Sequence, residues 1–352
     1  MPSSFLVFPS LLGFFNEGGD PIYSIESPEM KTAIQALIMA SSFCQRIKRE
    51  RVESHPLLKG DRSPVTIADY GSQAIINKLM KERFPNDPIV AEEDAEELKK
   101  AENLEILNQV THYVNEFIPR VSSKEICSWI DWSTSSVKKR FWTLDPIDGT
   151  KGFLRGDQYA IALALIEEGE VQIGLLACPN LYVDKDQPDG KKGCLFFAMV
   201  GNGAFQMDME SGEKKSLSVS RIESPEGAIF TESVEPDHAD HLIHKKVAKR
   251  LNVLSPPILM DSQAKYGIVA RGEATVYIRV PSPSDPHYRE KIWDHAAGAL
   301  IAKEAGGKVT DILGRPLDFS CGLRLEKNRG ILVTNGVLHE TILKALENLV
   351  II

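Results

Sequence analysis

The sequence has few cysteines, and they do not form a pattern that would build a covalent or metal-bound framework. Five cysteines are scattered over 352 residues, without a C-x-x-C pair: Cys44, Cys127, Cys178, Cys194 and Cys321. An odd number at such wide spacing argues against a disulfide scaffold and against a zinc site. It favours a reducing compartment, and we expect the protein to be cytoplasmic.

Long apolar runs and early basic residues are also missing. Residues 4–15 are apolar, but Pro9 and Gly13 interrupt them and the stretch is too short to span a bilayer. The first basic residue is Lys31, so the stretch before it lacks the basic start of a secretory signal and the arginines of a transit peptide. We expect residues 1–29 to be an N-terminal extension and no membrane span, while organellar targeting stays open.

The sequence has no excess of positive charge. Its 41 basic residues face 49 acidic ones, for a net charge of −8 at pH 7, which argues against a general nucleic-acid-binding protein. A small anionic substrate is compatible with this balance if a few cations act locally. With 43% hydrophobic, 26% charged and 7% aromatic residues, the composition is that of an ordinary globular protein rather than a disordered one.

Length and patterning predict two domains. Helical periodicity marks residues 28–50 and a helix beginning near Asp69, and short strands are predicted at 88–91 and 142–144. Residues 159–208 contain two consecutive hairpins, which imply an antiparallel sheet, and helices and strands alternate after residue 218. We therefore predict a layered αβαβα sandwich, with an α+β catalytic domain at 30–217 and a smaller C-terminal α/β domain at 218–352.

The most informative segment is WTLDPIDGT at 142–150. Asp145 and Asp148 stand three residues apart at the end of a predicted strand, and Pro146 between them disfavours regular ladder pairing. Gly149 allows close backbone approach, so the amides of Gly149 and Thr150 could hold a phosphate oxygen. Clustered carboxylates of this kind suit Mg²⁺ bound together with a phosphate. The alternative is a pair of ordinary surface turns.

Three other acidic residues stand at predicted element ends. Glu92 follows the strand at 88–91, although it also begins an acidic stretch that could simply face solvent. Asp294 occupies a predicted helix N-cap, where its role could be capping alone. Asp69 is either an N-cap or a base. Each structural explanation is sufficient for one residue. It is a weaker explanation for several acidic residues that all stand at element ends.

These motifs resemble a known family. DPIDGT at 145–150, WDHAAG at 293–298 and EAGG at 304–307 are similar to the paired signature of the inositol monophosphatase superfamily of lithium-sensitive phosphatases, over residues 30–350. SPVTIADY at 63–70, GFLRGDQY at 152–159 and DSQAKYG at 261–267 resemble its 3′(2′),5′-bisphosphate nucleotidase branch. Members of that branch convert 3′-phosphoadenosine 5′-phosphate (PAP) to AMP, and the plant members look most similar.

The resemblance implies a metal site and a mechanism. Two to three Mg²⁺ ions are implied: one on Glu92, Asp145 and the carbonyl of Ile147, a second on Asp145, Asp148 and Asp294, and a weaker third near Glu92. A metal-activated water would attack phosphorus directly, without a covalent enzyme intermediate. The implied catalytic residues are Asp69, which would accept a proton, and Thr150, whose hydroxyl would relay it.

The resemblance also implies the substrate contacts and the partners. The residues implied to contact substrate are Gly149, Thr150, His238, Ser262, Lys265 and Arg279, with His241 as an alternative to His238. Without the resemblance, Lys265 and Arg279 would be taken as surface charges. The expected ligand is PAP, with 3′-phosphoadenosine 5′-phosphosulfate and inositol 1,4-bisphosphate as further possibilities, and the expected state is a monomer that binds no nucleic acid. Two alternatives stay open: an inositol polyphosphate 1-phosphatase using the same metal site, and a catalytically silent PAP sensor.

Overall fold

The computed structural model describes residues 25–54, 63–134, 137–187, 189–234, 241–281, 285 and 287–349. Its α-helices are α1 (Pro28–Ser54), α2 (Ser63–Arg83), α3 (Leu104–Phe117), α4 (Ser123–Ile130), α5 (Thr150–Arg155), α6 (His241–Arg250), α7 (Ala264–Ala270), α8 (Ala296–Glu304) and α9 (His339–Leu346). Its strands are β1 (Ile89–Ala91), β2 (Arg140–Asp148), β3 (Ala160–Glu167), β4 (Glu170–Tyr182), β5 (Lys192–Met199), β6 (Gly203–Asp208), β7 (Lys214–Ser216), β8 (Phe230–Glu232), β9 (Ile258–Leu259), β10 (Val276–Arg279), β11 (Lys308–Thr310) and β12 (Ile331–Thr334).

A seven-stranded sheet holds β1 to β7 in sequence order. β1 runs parallel to β2, and every other neighbouring pair is antiparallel. The two predicted hairpins are confirmed as β3–β4 and β5–β6. The first turns at Glu168 and Gly169, both of which have positive φ, as a tight hairpin requires.

Both faces of this sheet are buried, and β3 shows how the sequence arranges it. Ile161, Leu163 and Leu165 face the cluster built by α1 to α4, whereas Ala162 and Ala164 face the cluster that contains α7 and α8. The period of two therefore separates large side chains from small ones. The small face lets α8 lie close to the strands.

The second sheet has five strands in the order β11-β12-β10-β8-β9. Residues of α7 and α8 share one apolar cluster with both sheets, and α6 and α9 pack with the far face of the second sheet. The layers are therefore helices, sheet, helices, sheet, helices, and the predicted αβαβα sandwich is confirmed.

The predicted boundary at residue 218 lies where the chain passes between the sheets. β7 ends at Ser216 and β8 begins at Phe230. The division into two domains stays a prediction, because α8 follows the boundary in sequence yet packs on β4 and β5. Among the described residues, no helix is both long and apolar enough to cross a membrane.

Several helix glycines stand where an aromatic ring leaves no room for a side chain. A Cβ on Gly71 of α2 would lie 2.0 Å from the ring of Phe43, and one on Gly298 of α8 would lie 2.4 Å from the ring of Tyr266. Glycine weakens a helix by about 1 kcal/mol relative to alanine. At these positions it allows close packing of α2, which carries Asp69, and of α8, which begins just after Asp294.

Candidate active site

Strand β2 carries the central residues of the site. Its pairing with β3 is regular up to Asp145 and resumes at Asp148 after an irregularity. Pro146 lies in this interruption, and its carbonyl accepts a hydrogen bond from the Ser72 hydroxyl at 3.3 Å. The strand is longer than the predicted 142–144, but the break in ladder pairing at the proline is confirmed.

The chain turns sharply after these aspartates. Gly149 has φ of 88°, in the left-handed region, and a Cβ there would come within 3.0 Å of the Ser262 Cβ. Thr150 then begins α5, and its hydroxyl donates a hydrogen bond to the Ile147 carbonyl at 3.4 Å. The turn therefore brings the segment after β2 against the DSQAKYG segment.

Parallel pairing explains why Glu92 lies beside Asp145. Ala91, the last residue of β1, is opposite Leu144 of β2. The residues that follow the two strands therefore emerge at the same edge of the sheet. The Glu92 and Asp145 carboxyl groups are close enough there for each to shift the pKa of the other.

Asp69 and Asp294 complete a group of five carboxylates. Burial raises the pKa of Asp145 well above its ordinary value, and the charges of Glu92, Asp148, Asp294 and Asp69 raise it further. Burial likewise raises the pKa of Asp69, with Glu92 among the contributing charges. The structure thus brings together the five acidic residues that the sequence analysis singled out.

The capping alternatives for two of these residues are wrong. α2 begins at Ser63 rather than near Asp69, so Asp69 lies inside the helix. α8 begins at Ala296 with His295 in the N-cap position, so Asp294 precedes the cap. Neither Asp69 nor Asp294 therefore occupies a helix N-cap, and helix capping does not explain the presence of either carboxylate.

The donor set fits a hard divalent cation. Carboxylates and backbone carbonyls are the ligands that Mg²⁺ and Ca²⁺ prefer, and the Ile147 carbonyl lies between Asp145 and Asp148 in the chain. Bringing several buried carboxylates together is costly unless a cation or protons neutralise them. The raised pKa of Asp145 expresses that cost.

Gln263 links two of the proposed ligands, and sequence reasoning missed it. Its backbone N–H donates to Asp148 Oδ2 at 2.5 Å. Its side-chain Nε2 donates to the Trp293 carbonyl at 2.8 Å, and its Oε1 accepts from the Gly298 N–H at 3.2 Å. Gln263 therefore holds Asp148 and the start of α8, next to Asp294, in one arrangement.

Two cationic side chains lie beside the carboxylates. Lys265 is only 4% exposed, and its Nζ donates to Ser233 Oγ at 3.2 Å and to the Met260 carbonyl at 3.1 Å. Burial lowers the pKa of Lys265 to about 8, against the opposing charge of Asp148. Arg279 pairs with Glu290, with 2.9 Å between Nε and Oε1. The interpretation of Lys265 as an ordinary surface charge is wrong.

The remaining predicted substrate contacts are distributed as follows. Ser262 is buried, with positive φ of 65°, and lies against Gly149. His238 lies outside the described residues. His241 begins α6, and its Nδ1 lies 2.8 Å from Glu232 Oε2.

A second polar group, also missed from sequence, surrounds Arg279. Ligand atoms of Glu290, Asp294 and His295 all lie within 4.8 Å of one another. Glu290 Oε2 lies 3.2 Å from His295 Nε2, and His295 Nδ1 lies 2.8 Å from the Tyr266 hydroxyl. The available signal was the position of Glu290 and His295 in the EKIWDHAAG run at 290–298.

A family model and named proteins match most of this chain. The model of the inositol monophosphatase family matches residues 20–350. The chain belongs to the inositol monophosphatase family. A 3′(2′),5′-bisphosphate nucleotidase from Oryza sativa is 43% identical, with coverage of 91% of this chain and 94% of that protein. A 3′(2′),5′-bisphosphate nucleotidase 1 from Arabidopsis thaliana is 42% identical, with coverage of 91% and 96%.

Solved structures show the same fold. The IMPase of Thermotoga maritima superposes with a TM-score of 0.60 at 21% identity, covering 92% of this chain and 98% of that one. At this identity the likeness concerns the fold of family members and carries no argument about substrate.

Proposed function

We propose that this chain is a Mg²⁺-dependent, lithium-sensitive phosphatase that hydrolyses the 3′-phosphate of PAP and releases AMP. The observation that carries the proposal is the group of five carboxylates beside Lys265 and Arg279. That combination suits a divalent cation and a substrate with more than one phosphate. The relatives at 42–43% identity, which carry the name bisphosphate nucleotidase, support the nucleotide as substrate.

The proposed metal ligands are Glu92, Asp145, Asp148, Asp294 and the Ile147 carbonyl, for two to three ions. When bound, Mg²⁺ would supply charge neutralisation at the transferred phosphoryl group and activation of the attacking water. Asp148 is held for this role by the Gln263 N–H.

Asp69 is the proposed proton acceptor, with the Thr150 hydroxyl as relay. Its raised pKa suits that task, because burial and nearby negative charge strengthen a carboxylate as a base. In the structure the Thr150 hydroxyl donates to the Ile147 carbonyl, so it must turn toward Asp69 when substrate binds.

Lys265 and Arg279 would bind the phosphate that is not transferred, and Ser262 with the Gly149 turn would contact the transferred one. Burial raises the pKa of Asp148, and the nearby charges of both cations oppose that rise. They therefore place positive charge next to the carboxylates, where a doubly phosphorylated ligand needs it.

The test is phosphate release from PAP, inositol 1,4-bisphosphate and inositol 1-phosphate, each with Mg²⁺, with chelator and with lithium. Fast, Mg²⁺-dependent, lithium-sensitive release from PAP is expected, and Asp145→Asn should abolish it. Asp186→Asn is the matched control, because Asp186 is an exposed loop acid paired with Lys185.

Two results would overturn the proposal. Preference for inositol 1,4-bisphosphate would make the protein an inositol polyphosphate 1-phosphatase with the same metal site. PAP binding without release from any substrate would make it a sensor.

A further inference from the structure

We propose that Glu290 is a positioning residue that holds Arg279 on the substrate side of the site and away from Asp294. The inference rests on the proposed function, because it takes Arg279 as a phosphate ligand and Asp294 as a metal ligand. It assigns a role to three buried residues, Glu290, His295 and Tyr266, that the proposed chemistry does not use.

Both carboxylate oxygens of Glu290 are engaged. Oε1 lies 2.9 Å from Arg279 Nε, and Oε2 lies 3.2 Å from His295 Nε2. The Glu290 side chain is only 4% exposed, so water cannot replace these partners freely. A buried carboxylate with both oxygens occupied has one arrangement available to it.

The partners of His295 fix the direction of the hydrogen bonds. Because an ionised carboxylate only accepts, His295 Nε2 carries the hydrogen that faces Glu290. Nδ1 of the neutral ring is then an acceptor, and the Tyr266 hydroxyl donates to it at 2.8 Å. Tyr266 is fully buried beside Gly298, so the chain from Tyr266 through His295 to Glu290 is anchored in the layer of α7 and α8.

The same bonds argue against a metal ion held by Glu290, Asp294 and His295, although their ligand atoms are close. Both ring nitrogens of His295 are used, and Glu290 already neutralises Arg279. A cation here would have to displace Arg279 and the Tyr266 bond. We therefore assign Glu290 and His295 to Arg279.

Arg279 has a competing partner close at hand. A ligand atom of Asp294 lies within 4.8 Å of Glu290, the carboxylate that Arg279 contacts at 2.9 Å. Burial raises the pKa of Asp294 and of Asp148, and the charge of Arg279 opposes that rise at both carboxylates. A guanidinium released from Glu290 would therefore pair with a carboxylate needed for the metal ion. Glu290 prevents this by supplying Arg279 with a buried carboxylate partner of its own.

The test uses Mn²⁺ binding, followed by electron paramagnetic resonance of the free ion, beside steady-state kinetics with PAP. Glu290→Gln should weaken Mn²⁺ binding and raise KM, each by about 10-fold or more, as loss of an outer-shell partner typically does. Arg279→Gln alone should raise KM without weakening Mn²⁺ binding. The double variant should bind Mn²⁺ as tightly as Arg279→Gln, because no guanidinium is left to compete.

Two results would overturn the inference. Glu290→Gln could bind Mn²⁺ as tightly as the parent protein. Alternatively, the double variant could bind it as weakly as Glu290→Gln, which would mean structural damage rather than competition from Arg279. Glu290→Asp, which keeps the charge, should recover part of the lost Mn²⁺ affinity. Failure of the parent protein to hydrolyse PAP would refute the proposed function, while the Mn²⁺ series still tests the role of Glu290.

Discussion

Replacing Gln263 tests whether its side chain holds the start of α8 in place. Gln263→Met keeps the approximate volume and the backbone N–H that donates to Asp148, but it removes both side-chain hydrogen bonds. The Trp293 carbonyl and the Gly298 N–H would then lose partners that lie 2.8 and 3.2 Å away. All of these groups belong to buried residues.

The magnitude follows from the two orphaned groups. A buried backbone group left without a partner costs about 1–3 kcal/mol, so we expect Gln263→Met to lower the free energy of unfolding by about 3 kcal/mol after local relaxation. Gln263→Glu keeps an acceptor for Gly298 but places a second acceptor against the Trp293 carbonyl. It also adds a buried negative charge beside Asp148, so its loss should be at least as large, at about 3 kcal/mol or more.

The assay is urea unfolding followed by tryptophan fluorescence, with Mn²⁺ affinity measured on the folded variants. Both substitutions should weaken Mn²⁺ binding, because Asp294 follows Trp293 directly in the chain. Gln172→Met is the matched control, since among the described residues the Gln172 side chain donates only to the Glu170 carbonyl, in an exposed hydrogen bond. If Gln263→Met unfolds within about 0.5 kcal/mol of that control, the reasoning is refuted.

Four further predictions concern the charge of Lys265, the reactivity of the cysteine thiols, the packing of α2 and the binding of Mg²⁺. The KM for PAP should rise above pH 8, because Lys265 there loses the proton that makes it a cation. Lys265→Arg should remove this pH dependence of KM between pH 7 and 10. The same pH dependence in the variant would contradict the role of Lys265 as a phosphate ligand. Cys321 should react with a thiol reagent in the native state well before the other four cysteines, which are buried, and a cysteine-to-serine change at 321 should abolish the fast phase. Gly71→Ala should lower the free energy of unfolding by about 1–3 kcal/mol, because the new methyl group overlaps the Phe43 ring. Adding Phe43→Leu to that variant should recover part of the lost free energy, measured by urea unfolding. Strictly additive effects of the two substitutions would argue against the contact. Mg²⁺ at 100 times its Kd should stabilise the protein by about 2.7 kcal/mol relative to chelator, and Asp294→Asn should reduce that gain in thermal unfolding.

Local pattern was sufficient for the parts of the fold built from neighbouring segments. The hairpins β3–β4 and β5–β6 follow from apolar runs joined by glycine turns, because antiparallel partners are adjacent in sequence. The elements that escaped prediction include the strands β11 and β12 and three short helices, α4, α5 and α7, of eight, six and seven residues. Over so few residues a helical period is not distinguishable from chance.

The residues of the candidate site that supply a required chemical group could be predicted from the sequence. The residues that hold those groups in place could not, because their roles depend on how the chain packs. Carboxylates at strand ends are visible in a sequence, and the structure brings Glu92, Asp145 and Asp148 together as expected. Glu290 and Gln263 look like ordinary polar residues until their partners are known. Their hydrogen bonds join positions up to 115 residues apart, which no local pattern reveals.

The residues that follow Asp294 also shape the site, through their small size. A Cβ on Gly174 of β4 would lie 2.7 Å from the Ala297 carbonyl, so α8 approaches the first sheet as closely as backbone atoms allow. On its other side, Gly298 leaves room for the Tyr266 ring. Because α8 is held closely on both sides, the position of Asp294 relative to β2 is fixed by packing before any ion binds. The AAG of the WDHAAG segment therefore contributes to the proposed metal site through its packing, because that packing sets the position from which Asp294 meets the other carboxylates.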